Sequence, residues 1–260
     1  MLVLLTGEGP TDIGTATDDK LKAPGEWTIG PVSLLIRDYV ADAFNLDNLS
    51  LNEHFWFAPK QYLTKLSKTI RPQILNRLSV SCSLEERKRT RALLAVALHL
   101  AEQQNDDVLP ILFRDCDNAL HARKRCDELR TNIQDASKFN TCVQQFVCPL
   151  IARPSSETWF VCALCYNYDE DKCKKLETSS SRSDKGKLFP KDILKNHLGN
   201  YTAQTLCDLV CHKNIRPLDI HMPSIDMFYA DMLQTGFRKD ETACISSSFK
   251  ANTLRAIRSM

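Results

Sequence analysis

Apolar residues gather in short unbroken runs that stop at glycine, proline or acidic residues, and longer stretches with apolar positions three and four apart lie between them. Leu2-Val3-Leu4-Leu5-Thr6 ends at Gly7-Glu8-Gly9, and Val108-Leu109-Pro110-Ile111-Leu112-Phe113 ends at Arg114-Asp115-Cys116-Asp117. Runs of this length bounded by turn formers read as buried strands. Residues 53–59, rich in aromatics and closed by Pro59, predict another strand, and 142–152 a further one. Helical spacing predicts helices over 32–46, 83–104, 118–138, 190–198, 202–213 and 223–235, and one opening at Ser155 or Ser156 and running through Leu164. Pro31 stands in the first turn of the earliest of these, and Ser83 with Glu85 and Glu86 marks the start of the next. Three stretches lack a clear period. Residues 11–29 read as a long polar connection, 60–81 as basic and mixed, and 166–186 as a polar surface excursion with a serine-rich end.

Strands alternating with helices predict an α/β fold, a mostly parallel sheet flanked by helices, with a helical C-terminal portion. Residues 1–165 form the expected core and 166–260 a mostly helical extension packing on it, with a single continuous domain as the alternative. A hydrophobic content of 43% suffices for a sizeable core, and a net charge of +2 gives no global field for nucleic acid, so such binding must rest on local basic patches. The 11 cysteines follow no disulfide framework, and without a signal peptide they read as reduced thiols of a cytoplasmic protein. Cys162 and Cys165, with Cys207, Cys211 and His212, have helical rather than zinc-knuckle spacing, and buried free thiols describe them better. No apolar stretch reaches the ~20 residues of a membrane span.

The chemistry sits at strand ends. Glu8 lies between two glycines at the lip of a sheet, where open α/β folds bind ligands, and it reads equally as a solvated carboxylate on a surface turn. Asp115 and Asp117, at alternate positions, point the same way from an extended strand end. Carboxylates held so close repel, and a site that keeps both ionised takes a divalent cation; all-oxygen donors suit Mg²⁺ or Mn²⁺. Asp12 stands close by as a further ligand. Glu157 either completes the acidic site or serves as a capping-box carboxylate. Arg123 and Lys124 follow the aspartates, and Lys185, Lys187 and Lys191 precede and open a later helix, as candidate phosphate contacts. Arg87, Lys88, Arg89 and Arg91 read either as a phosphate-contacting stripe or as a solvated helix face. The chain has no Gly-x-Ser-x-Gly, no Gly-x-Gly-x-x-Gly and no phosphate loop, so ATP hydrolysis would fall to a separate polypeptide.

A strand ending in Glu8-Gly9 and a later strand ending in Asp115-x-Asp117 resemble the Toprim domain of topoisomerases, primases and OLD-family nucleases. Arg153-Pro154-Ser155-Ser156-Glu157-Thr158-Trp159 is similar to the Pro…Glu-x-Trp element of small bacterial Toprim-like proteins from defence and mobile-element loci. Residues 218–228, with Met222-Pro223-Ser224, resemble a C-terminal element of the same group. The resemblance implies a Mg²⁺- or Mn²⁺-dependent nuclease acting on DNA or RNA, an anti-phage effector working with a separate ATPase subunit. In it Asp115 and Asp117 hold the metal, Glu8 is a ligand or the general acid/base, and Asp12 and Glu157 assist. A degenerate Toprim partner that binds an ATPase or nucleic acid without cutting is the alternative. No membrane contact is expected, and a homo-oligomer is left open.

Overall fold

The structure is a computed structural model that describes residues 1–9, 11–46, 49–69, 84–116, 122–138, 146–178 and 189–234. Asp117, Lys185 and Lys187 lie outside the described residues, as do the side chains of Arg123 and Lys124.

Strand β1 (Leu2–Gly7) is followed by the two-residue strands β2 (Gly14–Thr15) and β3 (Thr28–Ile29), which pair antiparallel with each other. Helix α1 (Pro31–Ala43) and the single turn α2 (Leu51–His54) lead to β4 (Phe55–Phe57). Helices α3 (Lys60–Thr69) and α4 (Leu84–Gln104) then precede β5 (Val108–Asp115), and α5 (Ala122–Lys138) precedes β6 (Cys148–Ala152). Five α-helices complete the described chain: α6 (Glu157–Leu164), α7 (Glu170–Thr178), α8 (Pro190–Leu198), α9 (Ala203–Cys211) and α10 (Pro223–Gln234). The chain is thus α/β. Among the described residues its main sheet has four parallel strands in the order β4-β1-β5-β6, flanked by helices.

This order has a structural consequence. The chain leaves β1 for β4 on one side, returns across it to β5 on the other side, and continues outward to β6. The strand order therefore reverses between β1 and β5, and open α/β sheets bind ligands in the crevice at the carboxyl ends of such a pair. Leu2 pairs with Val108 and Gly7 with Phe113, so the ends carrying Glu8 and Asp115 are neighbours.

Alternation along the strands decides which face each side chain serves. Val3 and Leu5 of β1, and Leu109, Ile111 and Phe113 of β5, share one core with α1, α6, α9 and α10. Leu4, Val108 and Leu112 enter the other, made with α3, α4 and α5. Trp159 of α6 is fully buried, its ring edge-on to Phe113 with centroids 6.2 Å apart, and its indole N–H donates to Ser224 Oγ at 2.9 Å. Burial of an aromatic of this size stabilises the fold by roughly 2–3 kcal/mol relative to exposure.

Several elements depart from the sequence expectation. The expected strand over 53–59 is shorter, because Ser50 caps a helical turn by accepting the Asn52 N–H at 3.3 Å, which takes Glu53 and His54 into α2. The mixed stretch after Lys60 contains α3, whose Tyr62, Leu63 and Leu66 are buried. Residues 11–29 are no mere surface connection: Ile13 and Trp27 reach the core, and Trp27 stacks on Phe57. The excursion expected over 166–186 begins instead with α7, which buries Cys173, Leu176 and Glu177. Cys162 and Cys173 are joined as a disulfide between α6 and α7, which corrects the expectation that all cysteines are free thiols. Leu194, Leu206, Val210, Phe228 and Met232 enter the same core as Val3 and Leu5, so the later helices pack directly on the sheet layer. No helix of the described residues is long and apolar enough to cross a membrane.

Candidate functional site at the strand switch point

The carboxyl ends of β1 and β5 carry two groups of charged side chains on opposite faces of the sheet. On the α1 and α6 face, Ser156, only 1% exposed, joins two carboxylates. Its backbone N–H donates to Asp115 Oδ1 at 3.1 Å, and its hydroxyl donates to Asp12 Oδ1. Ser156 immediately precedes α6 but makes no side-chain capping bond, so Glu157 is not part of a capping box; the hydroxyl is spent on Asp12 instead. The start of a helix also favours the negative charge of Asp115 electrostatically.

Asp12 is positioned from its backbone outward. Its N–H donates to the Gly9 carbonyl at 3.1 Å, closing a turn after β1, and its own carbonyl accepts the Val32 N–H at 3.0 Å in the first turn of α1. The neighbouring Ile13 carbonyl accepts both the Gly30 N–H at 2.8 Å and the Ser33 hydroxyl at 2.7 Å. Amides at a helix start have no partner within their own helix, so these carbonyls satisfy them and lock residues 12 and 13 to α1. Gly9 has φ +86°, and a Cβ there would collide with the Asp12 carboxylate. Only glycine both adopts that backbone and leaves the space.

Glu157 faces the same region. The Tyr201 phenol is pushed up to about 12 by burial, with the negative charges of Glu157, Asp12 and Asp192 adding to it. Its hydroxyl has no hydrogen-bond partner among the described residues. Lys191 is exposed in the first turn of α8, a helix that packs against α6.

On the opposite face, Glu8 is not beside Asp115. It pairs with Lys60 at 2.7 Å, with Arg114, and with Arg89 at 3.6 Å. Arg114 also reaches Glu86, a carboxylate only 2% exposed, at 3.0 Å, and Arg89 stands 3.7 Å from Glu86. Three cations thus surround two carboxylates at the α3 and α4 edge. The separation follows from the register: Gly7 pairs with Phe113, so Glu8 is level with Arg114 rather than with Asp115, and successive side chains alternate faces.

The expected constellation therefore divides in two. Asp12 and Asp115 meet on Ser156, and Asp12 and Glu157 lie near Tyr201, while Glu8 joins Lys60, Arg89 and Arg114. Among the described residues no group of three His, Cys, Asp or Glu side chains is arranged to hold a metal ion. Asp12 and Asp115 do share one serine, and two hard-oxygen carboxylates so linked fit the donor chemistry of Mg²⁺ or Mn²⁺. Sequence reasoning missed Arg114, Ser156 and Tyr201. Parity along β5 puts Arg114 on the face opposite Asp115 but does not say that it lies level with Glu8; Ser156 reads only as a helix start and Tyr201 gives no signal, because their roles arise from contacts 144 residues apart in one case and electrostatic proximity in the other.

The chain matches no protein-family model, no curated protein and no solved structure. The functional reading therefore rests on the geometry just described and on the sequence motifs.

Proposed function

We propose that this chain is a divalent-metal-dependent nuclease whose centre lies at the strand switch point around Asp12, Asp115 and Ser156. The observation that carries the reading is the convergence of Asp12 and Asp115 on one buried serine at the carboxyl ends of adjacent parallel strands. Like charges side by side raise each other's energy, which a cation relieves. Asp12 and Asp115 would hold Mg²⁺ or Mn²⁺, with Asp117 as the further donor the sequence offers. When bound, the metal supplies charge stabilisation at a scissile phosphate.

The chain's own residues do the rest. Ser156 holds the two carboxylates in register through its hydroxyl and its amide. Glu157, at the start of α6, would accept a proton from an attacking oxygen. Lys60 and Arg89 form a positive rim at the strand ends on the opposite face of the sheet, with the buried Arg114 behind them, and would neutralise the nucleic-acid backbone there. Glu8 and Glu86 each offset part of that positive charge. Nucleic acid, DNA or RNA, is the proposed substrate, with a separate ATPase subunit as a proposed partner and a role in anti-phage defence in the cytoplasm, following the family resemblance.

A second reading has its own support. Glu8 is held by Lys60 and Arg114 rather than facing Asp115, which favours a Toprim-like partner subunit that binds nucleic acid or an ATPase without cutting. Plasmid DNA and total tRNA incubated with wild-type protein and Mg²⁺ or Mn²⁺ distinguish the two. Cleavage should fall at least a hundredfold in Asp115→Ala and be absent with chelator. Nucleic-acid binding by wild type with no cleavage under either metal supports the second reading; cleavage equal in wild type and Asp115→Ala overturns the first.

A further inference from the structure

Cys116 directly follows Asp115, and its sulfur stands 2.8 Å from that of Cys126 in the first turns of α5. This is about 0.8 Å more than the length of a disulfide bond. Both side chains are buried, at 0% and 2% exposure, and both are free thiols. Among the described residues the other buried free cysteines face different groups: the Cys148 thiol donates to the Phe228 carbonyl at 3.8 Å, and the Cys207 thiol to the Ile29 carbonyl at 3.7 Å. The Cys116–Cys126 contact differs in kind from those two.

We propose that Cys116 and Cys126 are a reversible oxidation site that closes to a disulfide beside Asp115. The oxidant is a peroxide, hydrogen peroxide being the simplest. The Cys126 thiolate attacks one peroxide oxygen, the O–O bond breaks, and Cys126 becomes a sulfenic acid while the departing hydroxide takes up a proton to leave as water. Cys116 sulfur then attacks the sulfenic sulfur, the S–O bond breaks, and the released hydroxide takes the Cys116 proton and leaves as a second water. Two thiols are oxidised by two electrons and one peroxide is reduced to two waters. A dithiol reverses the step by exchange.

Cys126 is the sulfur disposed to react first. Its thiol is pulled below the usual range by the hydrogen bond with Cys116 and by the Arg153 guanidinium, against burial. A cation next to a cysteine is the setting in which thiols become nucleophilic. The bond would tie the residue after Asp115 covalently to α5, across ten residues of chain. The proposal stands on the sulfur geometry and does not depend on the nuclease reading.

The test is peptide mapping of the full chain. Fully reduced protein is treated with hydrogen peroxide, alkylated, and digested with trypsin, which releases Cys116 in peptide 115–123 and Cys126 in peptide 126–130. The expected result is the loss of alkylation at Cys116 and Cys126, apart from any reclosure of Cys162–Cys173, a linked pair of these peptides, and recovery of both thiols on dithiothreitol treatment. In Cys126→Ser the linked species should be absent while Cys116 stays alkylatable. Recovery of Cys116 and Cys126 fully alkylated, whether nothing is oxidised or only the exposed Cys211 is, overturns the proposal; so does a linkage of Cys116 to any other cysteine. Because the decisive measurement uses the wild-type chain, a variant that folds poorly does not obscure the outcome.

Discussion

A Cβ at position 9 would fall on the Asp12 carboxylate, and the backbone there, at φ +86°, is one that L side chains adopt at a cost of roughly 1–2 kcal/mol. Gly9 therefore fixes where Asp12 can stand, and through the Ser156 hydroxyl it bears on Asp115 as well. Gly9→Ala should lower unfolding stability by about 1–2 kcal/mol and weaken divalent-metal binding, because the carboxylate has to move. Chemical denaturation and metal titration of the same preparation check both. A variant with the stability loss and unchanged metal affinity would show that Asp12 takes no part in the site. Glu8 and Arg114 teach the complementary lesson. Glu8 between its glycines was correctly legible in the sequence as a strand-end carboxylate, but its partners were not, since a motif states spacing along one strand and says nothing of which neighbour lies level with it. The one-residue difference between Arg114 and Asp115 is what sends the two to opposite faces.

Among the elements, the strongly periodic or well-punctuated ones were legible. Helix α8 begins at Pro190 and ends before Gly199, where the stop and start signals sit. Strands β1 and β5 follow their apolar runs. Helix α7 was not legible, because its exposed face carries Glu170, Lys172, Lys174 and Lys175, and of its described side chains Cys173, Leu176 and Glu177 turn inward. A buried acid in a charged stretch carries no periodic signal. Glu177 accepts the Ser224 N–H, at 3.1 and 3.3 Å to its two oxygens, and the Ser224 hydroxyl, which in turn accepts the Trp159 indole N–H. Burial nevertheless pushes the Glu177 carboxyl up to about 7, against the pull of Ser224 and of Arg153. A carboxyl raised in the folded state stabilises the fold while both states hold the proton, below about 4.5, and loses that contribution as pH rises through about 7. Wild type should therefore lose about 3 kcal/mol relative to Glu177→Gln between pH 4 and pH 8. Denaturant unfolding of the two proteins across that range measures it, and parallel pH profiles would show that Glu177 titrates normally.

At the scale of the whole molecule, the strand order places the ends of β1 and β5 at the point where open α/β sheets take ligands. The α/β class was legible from alternating strand runs and helical periods. The sheet order was not, because nothing along the chain says that β5 returns past β1 rather than adding beyond β4. The order matters for function, since it makes the Glu8 and Asp115 strand ends neighbours and lets α6 bring Ser156 and Glu157 to them. The long connection over 11–29 gains its meaning at this scale too. It carries Asp12 back under the start of α1, so a residue twelve positions into the chain meets one at 156. The central claim is that this meeting point binds a divalent cation. Mn²⁺ titration followed by the electron paramagnetic resonance signal of the free ion tests it most directly, without requiring a substrate or a partner. Wild type should take up Mn²⁺ saturably, Asp12→Asn combined with Asp115→Asn should lose at least tenfold in affinity, and Lys60→Ala should bind as wild type does. Equal Mn²⁺ uptake by wild type and the Asp12→Asn, Asp115→Asn protein, or no uptake by wild type, would contradict the claim.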